Sequence, residues 1–234
     1  MNTNTITVFA AVLVGLINAR EAYSQGSFVN LNFENATVTF AYPPSTGEIY
    51  ANNAIPGWSA YYSVFGTNPQ PIIGYDTVSL GGAAVFLEDG TNSFGGGPAP
   101  LQGKYSVLLE GSYAGTPNSA SIGQTAQIPL NALSLTFYLS LNSSLQVSFN
   151  GQLIPLVQTG STANYDIMGG NISAFAEQTG QLLFTAPPGP EDDIGYGLID
   201  NIQFSNLGIP EPGVFGLWTL GALLVGWRVR GRRR

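Results

Sequence analysis

Twelve of the chain's fourteen carboxylates lie between Glu34 and Asp200, and Lys104 is the only basic side chain in that stretch. Carboxylates are therefore the groups with which this region can do chemistry. Paired at the right separation they hydrolyse glycosides, and clustered they ligate hard cations such as Ca²⁺. Two runs bring them together along the chain, Glu88-Asp89 and Glu191-Asp192-Asp193. Both sit beside turn residues, where solvated charge is the ordinary outcome, and no spacing singles out a catalytic pair. The chain has no histidine and no cysteine, which removes the usual general base, the familiar nucleophile triads, thiolate chemistry, zinc-thiolate sites and disulfides. No enzyme activity is expected from this inventory. Nucleic acid is not an expected partner either, because neutralising phosphates needs clusters of Lys and Arg that the region lacks.

Aromatic side chains offer a second kind of chemistry. Trp58, Tyr61 and Tyr62 form a candidate platform on which the apolar face of a sugar ring can stack. Tyr75, Tyr113 and Tyr165 lie near turn signals and are further candidates. The same residues also suit a core, since twelve per cent aromatic content is ordinary for packed sheets and Trp58, after Pro56-Gly57, fits a plug at one end.

The elements that must position these side chains read as strands. Val29, Leu31 and Phe33 alternate with Asn30 and Asn32, Ser106 to Glu110 is a compact apolar run, and Leu133 to Leu141 alternates again. Leu145-Val147-Phe149 leads into Asn150-Gly151 and then Leu153 to Val157, the strongest hairpin signal in the chain, because both turn residues tolerate positive φ. Gln181 to Thr185 and Leu198 to Phe204 supply closing strands. Gly- and Pro-rich stretches such as 93–98 separate them. About ten short strands without helical periodicity predict an all-β fold, an antiparallel β-sandwich, with a jelly roll ahead of an immunoglobulin-like arrangement.

Both ends read as targeting segments rather than as parts of this fold. Ile6 to Ile17 is an apolar core of twelve residues followed by small residues, and cleavage after Ser24 satisfies the small-x-small rule. Residues 1–24 are therefore expected to be a signal peptide helix, with the Sec translocon and signal peptidase as partners. The n-region departs from the usual pattern, since Asn2 to Thr5 carry no positive side chain. Residues 25–208 form one domain of 184 residues, enough for a sizeable core. Residues 209–234 begin with Pro210-Glu211-Pro212, continue through an uncharged run from Val214 to Trp227, and end in Arg228, Arg230, Arg232, Arg233 and Arg234. The arginines are expected to stay on the cytoplasmic side. As a transmembrane helix, residues 213–227 would extend about 22 Å against a hydrocarbon core of about 30 Å, a short span that snorkelling arginines and tilt would accommodate.

The order of Pro210-Glu211-Pro212, apolar run and arginine cluster closely resembles the PEP-CTERM sorting signal of bacterial exported proteins. The resemblance covers about a tenth of the chain. It implies an exosortase, a membrane-embedded transpeptidase, as partner, inner-membrane anchorage before processing, and a final place in the cell envelope, at the surface or in the extracellular matrix. It further implies a structural or adhesive role in an exopolysaccharide or biofilm matrix.

A second resemblance is to galactose-binding-like jelly rolls, common among bacterial carbohydrate-binding modules. It rests on Asn32-Phe33-Glu34 on a first strand, Ile55-Pro56-Gly57-Trp58, Ser106 to Leu109, Ile122-Gly123-Gln124-Thr125 at a strand start, and Ile199-Asp200-Asn201-Ile202 in the last strand. It implies first and last strands close together, with Glu34 and Asp200 sharing a structural calcium. The alternative for these two is that Asp200 accepts backbone amides and Glu34 stays in solvent. As a function, the resemblance implies a carbohydrate-binding module with defined glycan specificity, the alternative to the structural or adhesive role.

Overall fold

The computed structural model describes residues 27–209, apart from Leu80, Asn92, 114–117 and 190–193. The two segments expected to direct targeting, with Pro210-Glu211-Pro212 and the arginine cluster, lie outside the described residues, as do Glu191, Asp192 and Asp193. Among the described residues no helix is long and apolar enough to cross a membrane.

Among the described residues thirteen strands carry the fold: β1 (Glu48–Tyr50), β2 (Ser59–Tyr62), β3 (Ile72–Tyr75), β4 (Ala84–Glu88), β5 (Ser106–Tyr113), β6 (Ala120–Gln127), β7 (Ser134–Ser140), β8 (Gln146–Phe149), β9 (Gln152–Ile154), β10 (Leu156–Ser161), β11 (Tyr165–Asn171), β12 (Thr179–Ala186) and β13 (Ile194–Ser205). The one α-helix among the described residues, α1 (Ala51–Ala54), is a single turn between β1 and β2. An eight-stranded sheet has the order β1-β3-β4-β5-β13-β7-β11-β10, and a five-stranded sheet the order β2-β6-β12-β8-β9. The fold is thus nearly all β, in two sheets, as the pattern of short strands predicts. One pair departs from the antiparallel expectation: β3 and β4 run parallel, with Tyr75 opposite Leu87.

The sheets face each other across one core. Alternation turns Val107 and Leu109 of β5, Leu135 and Phe137 of β7, Ile122 of β6, and Leu182 and Phe184 of β12 inward, all fully buried. Phe184 meets Phe137 of the opposite sheet edge to face, ring centroids 5.1 Å apart. β5 is buried on its other side too. There Leu108 packs with Phe86 and Leu198, covered in part by Leu101.

The hairpin forms where Asn150-Gly151 places it, with φ of 50° and 77° and Phe149 paired to Gln152. The run that follows is not one strand. Pro155 has no N–H to give a ladder, so β9 ends in the five-stranded sheet and β10 starts in the eight-stranded one. The expected first strand through Asn32-Phe33-Glu34 is also corrected. Residues 31–35 form turns, with Asn30 and Phe33 at φ of 51° and 57°, and the Asn30 side chain accepts the Asn35 amide at 3.0 Å. Asparagine takes this left-handed conformation readily, so an apolar–Asn alternation can curl instead of extending. Ile122-Gly123-Gln124-Thr125, expected at a strand start, lies inside β6.

Candidate functional site: a neutral groove on the five-stranded sheet

β2, β6 and β12 lie side by side, and their outward positions share one surface. Register places Tyr61 opposite Ser121, Ser121 opposite Thr185, and Leu183 opposite Gly123. Because side chains alternate, Ala60 points into the core while Tyr61 points out. The turn after β2 supplies Ser63, Gly66 and Thr67, and the approach to β6 supplies Ser119. With Tyr61, Ser121, Gln181 and Leu183 they enclose an open groove of about 250 Å³.

Hydrogen bonds hold its walls. Gln181 Nε2 donates to the Tyr61 hydroxyl at 3.2 Å, and the Ser121 and Thr185 hydroxyls meet at 2.8 Å. The rim is tied by the Ser119 amide to Ser63 Oγ at 2.7 Å and the Ser63 amide to the Ser119 carbonyl at 3.0 Å. The lining presents hydroxyls, one carboxamide, one aromatic ring and one leucine, with no carboxylate and no lysine. Such a surface suits a neutral ligand carrying both apolar faces and hydroxyl groups.

The other aromatic candidates go elsewhere. Trp58 is only 4% exposed, packs against Phe33 and Phe184, and donates its indole N–H to the Asn30 carbonyl at 3.1 Å. It is a core residue and offers no stacking face, which corrects its place on the platform. Tyr62 turns the opposite way from Tyr61. Its hydroxyl accepts the Val85 amide of the other sheet at 3.3 Å, and burial pushes its phenol up to about 12. Tyr75 is buried and donates its hydroxyl to Asp89. Tyr165 stacks on Tyr138 with centroids 4.2 Å apart, and Tyr113, at the end of β5, is exposed.

Glu34 and Asp200, expected to share a calcium, do converge on one loop. Glu34 Oε1 accepts the amides of Lys104 and Tyr105 at 2.8 and 3.2 Å. Asp200, 1% exposed, accepts the Gln102 amide at 3.1 Å, the Ser106 hydroxyl at 2.9 Å and the Asn201 amide at 2.6 Å. Burial, with Glu34 adding, raises its carboxyl to about 6 against those hydrogen bonds. Every one of these contacts comes from a donor, so the pair clamps residues 102–106 by itself, a role that requires no cation.

Sequence reasoning missed a second, amide-lined cleft of about 450 Å³ between Asn30, Asn32, Asn35 and the β13 segment Asn201 to Gln203. It exists because β13 bulges between Asp200 and Gln203, with Asn201 at φ 48°. The asparagine-rich stretch was the available signal, but it reads equally as a strand.

The fold and groove define a two-sheet β domain with a neutral polar surface groove. No family model and no curated protein matches the chain. Among solved structures, an apo form cyclase from Fischerella sp. aligns at 13% identity over 76% of this chain and 93% of its own, TM-score 0.40. TmCBM61 in complex with β-1,4-galactotriose aligns at 17% identity over 78% and 99%, TM-score 0.37. A family 11 carbohydrate-binding module from Clostridium thermocellum aligns at 8% identity over 70% and 96%, TM-score 0.34. These likenesses are distant, and the functional reading rests on the groove itself.

Proposed function

We propose that this chain is an exported envelope protein whose β-sandwich, taken as a jelly roll, binds a neutral glycan in the Tyr61 groove. The observation that carries the reading is the composition of that groove: an aromatic ring beside a leucine, ringed by serine, threonine and glutamine, without charge. Sugar rings combine apolar C–H faces with hydroxyls, and this lining meets both. The N-terminal leader and the PEP-CTERM-like tail would carry the domain to the envelope, where binding polysaccharide is a structural or adhesive act. The absence of carboxylate and lysine from the groove lining favours binding over turnover there.

The test is a titration of the full chain against a panel of neutral soluble polysaccharides. Wild type is expected to bind at least one saturably, and Tyr61→Ala to weaken that binding about tenfold or more, equivalent to about 1.4 kcal/mol. Gln181→Ala is expected to act in the same direction, and Trp58→Phe to leave affinity unchanged. Wild-type binding that survives Tyr61→Ala would move the site elsewhere. Intact mass spectrometry of the mature ends, with and without the sorting peptidase, tests delivery. Loss of the residues around Pro210 to Arg234 only when the peptidase is present is the expected result.

A further inference from the structure

On the far side of the eight-stranded sheet, Asp76 and Glu88 follow the parallel pair Tyr75–Leu87 of β3 and β4. Both side chains are 0% exposed. Asp76, at φ 49°, donates its amide to the Leu87 carbonyl at 2.9 Å, which holds its main chain beside β4. Its Oδ2 accepts the Thr91 hydroxyl at 2.9 Å and the Ser93 amide, which bring these residues over the two carboxylates. Phe94 packs on Phe40 and Tyr75, with centroids 5.8 and 6.1 Å apart.

Three oxygens at this place have no hydrogen bond of good geometry: Asp76 Oδ1, Glu88 Oε1 and Glu88 Oε2. Buried Gly97 shows how tightly they are enclosed. A methyl group there would fall 1.8 Å from Glu88 Oε2 and 3.0 Å from the Asp76 carbonyl carbon. Only a residue without a side chain lets the loop close on the carboxylates.

Buried polar atoms in folded proteins are nearly always satisfied, and two neighbouring buried carboxylates need a compensating positive charge. The single basic side chain among the described residues is Lys104, which is exposed and lies over the Tyr105 ring. The described residues supply no positive charge for these carboxylates.

We propose that Asp76 Oδ1 and the Glu88 carboxylate bind a divalent cation, with Ca²⁺ as the fitting ion, enclosed by Thr91, Ser93 and Gly97. Two carboxylates match its charge. No group of three or more acidic ligands occurs among the described residues, so main-chain carbonyls, loop hydroxyls and water complete the six to eight oxygens that Ca²⁺ takes. Mg²⁺ fits less well, because it demands a near-ideal octahedron and parts reluctantly with water. The competitor for the site is a proton. Burial, with Asp76 and Glu110 adding and the Thr77 main chain opposing, raises the Glu88 carboxyl to about 9, so the ion-free protein holds Glu88 neutral. The site is separate from the Glu34–Asp200 clamp and independent of the glycan groove.

Calcium chloride is titrated into the full chain after chelation with EGTA, reading the melting temperature and, by equilibrium dialysis, bound calcium per chain. Extracellular calcium modules bind at about 10⁻⁴–10⁻³ M, so the titration runs to about 10 mM. Wild type is expected to melt about 5–10 °C higher at a hundredfold excess over Kd. Glu88→Gln and Asp76→Asn are each expected to abolish that rise and to lose one bound ion, while Glu34→Gln keeps both. Overturning results are a wild-type protein that binds no calcium, a Glu88→Gln protein that retains the full rise, or loss of binding in Glu34→Gln alone. Wild-type stoichiometry decides the matter even if a variant fails to fold.

Discussion

Replacing Phe184 with Ala is expected to destabilise the protein by about 3–5 kcal/mol, enough to consume much of a typical domain's margin of about 5–15 kcal/mol. Phe184 is 0% exposed and sits where the two sheets meet. Its ring lies 5.1 Å from Phe137 across the core and 6.0 Å from Trp58, just before β2. Truncation removes its transfer energy and leaves a cavity that strands pinned by ladders on both sides cannot collapse to fill. Phe184 pairs with Ile122 on one neighbour and Val147 on the other. Denaturant melts of Phe184→Ala and Leu153→Ala make the comparison. Leu153 is 66% exposed, so its change should stay within about 0.5 kcal/mol. A Phe184→Ala loss below about 1 kcal/mol would mean that the sheets do not share this core.

The second large effect is a stability that falls as pH rises from about 5 to about 8 when calcium is chelated. Three buried carboxyls have folded-state values above their ordinary ones: Glu88 at about 9, Glu110 at about 7 and Asp200 at about 6, with burial the first cause for each. A carboxyl raised in this way binds its proton more tightly in the folded state than in the unfolded chain. Its contribution is complete below the unfolded value near 4 and is lost as pH climbs through the folded value. Asp89 has the opposite sign. Burial raises it, but hydrogen bonds from Tyr75 and Thr91 outweigh that and lower it, so its effect belongs to pH below about 4. At about 1.4 kcal/mol per unit, the combined loss is at most on the order of 8 kcal/mol. Self-repulsion of a chain with net charge −7 slopes the same way, but high salt screens surface charge and leaves buried groups largely unscreened. Chemical denaturation in EGTA and high salt at pH 5, 6, 7 and 8 checks it. Glu110→Gln should make the slope between pH 5 and 7 shallower, leaving the parts due to Glu88 and Asp200. A flat or rising profile would show that these carboxyls are better solvated than their burial implies.

Much of the β architecture was legible because strand signals are local. Alternation marked β7, β8 and β12, and Asn150-Gly151 announced its hairpin through backbone conformations that only a few residues accept. Where the reading slipped, the deciding interaction was distant. Asn32-Phe33-Glu34 looked like a strand until the Asn30 side chain closed on Asn35, and Leu153 to Val157 looked like one strand until Pro155 divided it between sheets. Trp58 and Tyr61, three residues apart, were both candidates for a sugar platform, with Trp58 also fitting a plug in the core. Pairing of β2 with β6 left Tyr61 in the groove, while Trp58, just before β2, packs in the core against Phe33 and Phe184.

From sequence alone came the class of fold, the bar on histidine and cysteine chemistry and the lopsided charge, because composition and short patterns need no partner to be read. Tertiary structure alone decided which carboxylates matter. Glu34 and Asp200 met on one loop as expected, but surrounded by donors, whereas Glu88, expected with Asp89 as a solvated turn charge, and Asp76, which no pattern marked, ended buried with three carboxylate oxygens unsatisfied. Burial and pairing depend on which strands become neighbours, a property of the whole chain that no local window of residues contains.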